Sequence, residues 1–363
     1  MKTNSHMKLN KLMALAAAVF AASAVCLAQT KQEQVIEGGG TGPWKSVAVE
    51  DASLPTHTIY RPKDLKGYVE ENGKIPVLLY ANGACANNNL EMSRLLSEVA
   101  SWGYIVLAIG PYQDMPDDAF YAQWKGVVRG WYPETKEVAI MGNGERLPPY
   151  TEAELAARAA EQEAARKAAE AAAKKNKGKK AAPAPAPFRT YARQLLEAMD
   201  WITDQCANAE SEYYHRIDLD KVAAMGQSCG GAQVLAVAHD PRIKTCLIFN
   251  SGIGEMSMSG ASKESLANLH QPMLYLNGGT ADVAYENANG DWKRIKELPV
   301  VKISTLDGHH GTYYEKNAGA YAVACRLWLN WQLKGMVGDS ALFMNDEYGK
   351  MVHPDWTFDR KNW

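Results

Sequence analysis

Net charge is nearly absent from this sequence. Lys and Arg number 39 against 41 Asp and Glu, a formal balance of −2. No basic excess argues for nucleic acid, and no acidic excess argues for a cationic partner. No Cys-x-x-Cys pair occurs among the six cysteines, so the usual spacing of a structural zinc site is missing. Phenylalanine is scarce, at 6 against 17 Tyr and 10 Trp. A surplus of amphipathic aromatics suits a cleft that handles sugars or aromatic rings. Long apolar runs are missing too, apart from residues 12–28, a stretch short for a full membrane span.

That run has the layout of an export signal. Lys8 and Lys11 precede it, small residues end it, and polar residues 29–33 follow. Residues 1–28 are expected to be removed, with cleavage after Ala28. The mature protein is then periplasmic or extracellular and has no membrane span. The competing arrangement is an uncut anchor through the same segment. Cys26 is a poor lipid-attachment site, because the bulky Val25 precedes it. Removal of the signal leaves five cysteines. Export permits disulfides, and the odd count leaves at least one thiol free.

The remainder, 29–363, alternates apolar strands with helices. Residues 29–44 are polar and glycine-rich and read as a loop. Residues 45–49 and 56–60 read as short strands. Residues 75–80, 104–109, 243–250, 273–277 and 300–304 are apolar runs of the kind buried on both faces of a sheet. Helical spacing appears after 90, over 191–207, after 228, near 263–269, at 285–296 and at 318–333. The alternation predicts an α/β fold with a mostly parallel, doubly wound sheet flanked by helices. Two segments interrupt it. Residues 112–150 carry Tyr121, Trp124 and Trp131 without a clean period and read as a lid or cleft wall. Residues 151–187 are an Ala/Lys/Glu-rich tract ending in a Pro-Ala spacer, read as a solvated helical arm.

The chain is organised around residues 222–237. A short apolar run passes through Gly226-Gln227-Ser228-Cys229-Gly230 and continues at helical spacing. That is a strand, a tight turn and a helix, with a serine at the turn. Glycines flank it where a side chain would collide with a neighbouring element. The Ser228 hydroxyl is lifted above the sheet edge, and the helix start favours a developing oxyanion.

A serine hydroxyl needs a base to become a nucleophile, and the base needs a carboxylate to orient it. Of the downstream candidates, Asp282 follows the strand at 273–277. His309 and His310 follow the last strand. Asp307 is the second-choice acid, on the histidines' own loop. The His-His pair has no carboxylate or cysteine at metal-ligand spacing, so no metal or cofactor is expected. An oxyanion hole needs two backbone N–H groups. Cys229 should supply one, and Ala84 or Cys85, after the 75–80 strand, the other. Both segments carry a cysteine, which suggests a Cys85–Cys229 disulfide pinning the donors together.

Together, the segments 226–231, 82–89, 278–287 and 308–313 resemble the α/β-hydrolase superfamily. The likeness is nearest to secreted bacterial serine esterases of the dienelactone-hydrolase-like and cutinase-like polyester-hydrolase sort, and spans most of 45–335. The resemblance implies an α/β-hydrolase fold with Ser228 as nucleophile, Asp282 as acid and His309 as base. Dienelactone hydrolases carry cysteine where this chain has Ser228. The 82–85 loop and the arm depart from cutinase patterns, so polyester cleavage is not implied. The resulting expectation is a carboxylesterase acting on small-molecule or carbohydrate-linked acetyl or feruloyl esters. Trp124, Trp131, Tyr121 and Tyr285 are the expected substrate contacts. A serine peptidase or amidase and a non-catalytic binding protein are the alternatives. The sequence leaves the oligomeric state open.

Overall fold

A computed structural model describes residues 32–124, 189–305, 310 and 314–363, with short pieces between 138 and 167. Among the described residues, ten strands form one sheet. They are β1 (Gln32–Gln34), β2 (Ser46–Glu50), β3 (His57–Pro62), β4 (Ile75–Ala81), β5 (Ile105–Ile109), β6 (Ile217–Gln227), β7 (Ile243–Phe249), β8 (Met273–Asn277), β9 (Val300–Thr305) and β10 (Trp356–Lys361). Their spatial order is β1-β2-β3-β5-β4-β6-β7-β8-β9-β10. The block from β5 to β9 is parallel. The strands outside it pair antiparallel. Val138–Ala139 and Arg146–Leu147 form a separate two-stranded ribbon.

Burial on two faces explains the apolar runs. Successive side chains of a strand point to opposite faces. Val77 and Leu79 of β4 therefore join one core, and Leu78 and Tyr80 join the other. Helices α1 (Leu65–Asn72), α4 (Arg193–Ala207), α5 (Cys229–Val237) and α6 (Tyr285–Arg294) contribute to the first core. Helices α2 (Ser93–Ser101) and α7 (Gly319–Lys334) pack into the second, where Trp328 is fully buried. Between α2 and α4 in the chain lies α3 (Asp117–Trp124). No helix of the described residues is long and apolar enough to cross a membrane.

The edges differ from the expectation. Within the stretch expected to be a loop, β1 pairs with β2. Residues Glu37–Gly39 form a 3-10 turn. The glycines after it serve close approach: a Cβ on Gly42 would stand 2.2 Å from the Ser101 carbonyl oxygen. At the other edge, the C-terminal chain returns as β10 along β9. Residues 112–150 contain α3. Most of the arm lies outside the described residues.

Candidate active site

The turn between β6 and α5 has no room for side chains at its glycines. A Cβ on Gly226 would lie 2.2 Å from the Gly230 carbonyl oxygen, and one on Gly230 would lie 2.0 Å from the Ala81 oxygen. Between them Ser228 takes φ 51°, ψ −120° as the residue capping α5. That backbone costs an L-residue on the order of 1–3 kcal/mol and must be held by its surroundings. Three bonds do so. The Ser228 N–H donates to Phe249 O at 3.0 Å, and its carbonyl accepts from Gly231 N at 2.9 Å. The Ser251 hydroxyl donates to the same carbonyl at 2.6 Å.

Asp282 leaves the 3-10 turn Gly279–Ala281 that follows β8. Its carboxylate is fully enclosed. Oδ2 accepts from Asn250 Nδ2 at 2.7 Å and from Gly278 N at 3.0 Å. Oδ1 accepts from Ala284 N at 2.9 Å and meets His310 Nδ1 at 2.7 Å. Burial pushes this carboxyl up. The His310 imidazole and the Gly278 and Ala284 amides more than offset it and hold Asp282 below its ordinary value.

The other imidazole nitrogen, His310 Nε2, lies 2.9 Å from Ser228 Oγ. A neutral ring protonated at Nδ1 donates to Asp282 and accepts the serine proton at Nε2. The histidine that joins serine to carboxylate is therefore His310. Its neighbour His309, implied by the resemblance, lies outside the described residues, as does Asp307. Asn250 was not among the expected site residues. Its signal is its place directly after the apolar strand β7, where it adopts φ 44°.

The two cysteines meet as a disulfide. Cys85 and Cys229 are joined across 144 residues, with Cα atoms 5.3 Å apart. Cys85 ends the 3-10 turn Gly83–Cys85 that follows β4, and Cys229 opens α5. The turn is anchored further. Asn82 Nδ2 donates to Ile109 O at 2.6 Å and Ala86 O at 3.1 Å. Thr190 N donates to Cys85 O at 2.9 Å. Cys206, Cys246 and Cys325 are free and buried.

Some of the expected aromatic residues gather in a cluster of their own around Phe120. Trp124 stacks on Tyr314 with ring centroids 5.0 Å apart. Phe120 packs edge-on against Tyr121 at 5.3 Å. The Tyr121 hydroxyl donates to Glu37. Tyr314, four positions after His310 in the sequence, is buried in this cluster. Trp131 lies outside the described residues. Tyr285 begins α6, its N–H donating to Asp282 O at 3.0 Å. Among the described residues, no three His, Cys, Asp or Glu side chains gather as a metal site.

No family model matches the chain. A stretch of 51 residues, 14% of this chain, is 39% identical to "Hydrolase ffsE" of Aspergillus flavipes, and covers 11% of that protein. The similarity thus spans about a tenth of that protein's length. Together with a mostly parallel sheet carrying helices on both faces, it fits a hydrolase-like α/β fold.

Proposed function

We propose that the protein is an exported serine carboxylesterase. One observation carries the reading: a single imidazole, His310, stands at hydrogen-bond distance from both Ser228 Oγ (2.9 Å) and the buried Asp282 carboxylate (2.7 Å). The short similarity to a protein named a hydrolase supports the broader class.

In this reading Ser228 Oγ attacks the ester carbonyl carbon while its proton passes to His310 Nε2. Asp282, kept ionised by its donors, stabilises the imidazolium. The Cys229 N–H and an N–H from Ala84 or Cys85 receive the oxyanion, each worth roughly 3 kcal/mol of barrier. His310 returns the proton to the leaving alcohol. A water molecule, deprotonated by the same imidazole, then attacks the acyl-enzyme and frees the acid and Ser228. No metal or organic cofactor enters this chemistry. Small-molecule or carbohydrate-linked acetyl and feruloyl esters are the proposed substrates, with the aromatic cluster around Phe120 as one wall.

Treatment of the mature protein with a fluorophosphonate, followed by an ester and amide panel, tests the reading. The expected result is a covalent adduct on Ser228, lost in Ser228→Ala, and turnover of esters ahead of matched amides. Faster amide cleavage would make it a peptidase or amidase. Absence of any adduct would leave a binding protein on a hydrolase-like fold. Mass measurement of the exported protein, with an N-terminus following Ala28, checks the proposed removal of residues 1–28.

A further inference from the structure

We propose that the Cys85–Cys229 disulfide is a positioning element for catalysis. It holds the two backbone donors of the oxyanion site in register, so that its loss lowers kcat and leaves KM nearly unchanged. The inference rests on the esterase reading of Ser228.

The first observation is where the bond attaches. Cys229 is the residue directly after Ser228, and Cys85 is directly after Ala84. Each sulfur therefore restrains a segment whose peptide N–H donates to the oxyanion in the proposed mechanism. The second observation is conformational. Ala84, Cys85, Ser228 and Ser259 adopt φ of 52°, 51°, 51° and 54°, all in the left-handed region and none of them glycine. L-residues leave that region unless something holds them there. Four such residues surround one pair of sulfurs.

The third observation is that the sulfurs are themselves held. Ser259 Oγ lies 3.1 Å from Cys85 Sγ and 3.2 Å from Cys229 Sγ. The segment that delivers Ser259 begins at Ser251, whose hydroxyl bonds the Ser228 carbonyl. On the other side Thr190 donates to the Cys85 carbonyl from both its N–H and its hydroxyl, at 2.9 and 3.2 Å. The Thr190 hydroxyl also accepts from Gln233 Nε2 of α5 at 3.0 Å. The bond is thus one side of a closed frame around the turn.

The two segments would stay near each other without the bond. Gly83 packs so tightly on Gln227 that a Cβ there would lie 2.0 Å from Gln227 Oε1. Thr190 and Asn82 also remain. What the bond adds to these contacts is a covalent link between the left-handed pair Ala84–Cys85 and Cys229. Binding of the ground-state ester does not need that register, whereas the tetrahedral oxyanion does.

The test uses the mature protein, reduced with a trialkylphosphine, alongside Cys85→Ala, Cys229→Ala and the double variant. Reduction breaks the S–S bond, adds a hydrogen to each sulfur and converts the phosphine to its oxide with oxygen from water. Assays run well below the unfolding temperature, with circular dichroism confirming the fold. Loss of one donor predicts a fall in kcat of about 100-fold, with KM within about twofold. Affinity for a boronate that forms a tetrahedral adduct on Ser228 should fall in parallel with kcat, and reoxidation should restore both. A disulfide that only constrains the unfolded chain would lower the melting temperature and leave kcat intact; that result overturns the inference. Unfolding of both the reduced protein and the variants would overturn it as well. If the fluorophosphonate labels wild-type Ser228 while kcat ignores the bond, this inference fails and the esterase reading stands. If wild type is not labelled, the esterase reading itself has failed.

Discussion

Asn250 Nδ2 donates to Asp282 Oδ2 at 2.7 Å, on the oxygen that His310 does not use. This side chain, from the end of a different strand, fixes the carboxylate's rotation, so that Oδ1 faces the imidazole. Asn250→Ala removes one donor from an ionised group. The Asp282 pKa should rise, and kcat should fall about tenfold, as for loss of one charge-assisted bond. Rates on a chromogenic acetate between pH 5 and 8 check both, with the acid limb of the profile altered in the variant.

The two adjacent histidines should separate sharply. His310→Ala should lower kcat by on the order of 10⁴-fold. His309→Ala should stay within a few-fold of wild type. Comparable losses in the two variants, measured on the same ester, would remove the basis for assigning the base.

Glycine substitutions should sort by space. Gly230→Ala drives a Cβ to 2.0 Å from a backbone oxygen of β4. It should cost about 3 kcal/mol or more, the upper end of overpacking penalties. Gly338→Ala meets nothing within 4 Å and should change stability by less than about 0.5 kcal/mol. Urea unfolding of the three proteins reads both directly.

Two buried groups should pull stability in opposite directions between pH 4 and 6.5. His57 is enclosed, its Nε2–H donating to Gln194 O at 3.1 Å and its Nδ1 accepting from Thr56. Burial pushes it down from 6.5 to about 4. The unfolded state takes up its proton first, so this stability is complete above 6.5 and is lost as pH falls through 4. Asp291 is pushed up from 3.8 to about 6 by burial, against the Ile253 and Gly254 amides and the Tyr275 hydroxyl. The folded state takes up that proton first, so acidification stabilises it. Each effect is worth about 3 kcal/mol at most. His57→Gln should flatten the acid loss of unfolding free energy, and Asp291→Asn should steepen it.

The interior of the fold was legible because strands buried on both faces must be continuously apolar. Met273–Asn277 matches its expected bounds to the residue. The edges were not. In β1 the residues are Gln32, Glu33 and Gln34, and in β10 only Trp356 is buried. An edge strand with one wet face needs little apolar sequence, so its pairing is set by the neighbour already in place. At the candidate site, Ser228 and Asp282 stand out in the sequence because each follows an apolar strand in a turn with its own chemistry. Two consecutive imidazoles on one loop carry no such signal, since only the path of the backbone decides which one faces the serine. Asn250 was hidden for a related reason: a polar residue closing a strand reads as punctuation until its partner across the sheet is known.

The bond between Cys85 and Cys229 also makes the polypeptide a lasso, whose ring takes in every position from 86 to 228. The Ala/Lys/Glu-rich tract at 151–187 sits inside that ring. A protease cutting there would therefore nick the protein without releasing either piece. On a gel such material would migrate as one band when oxidised and fall apart into two only after thiol treatment.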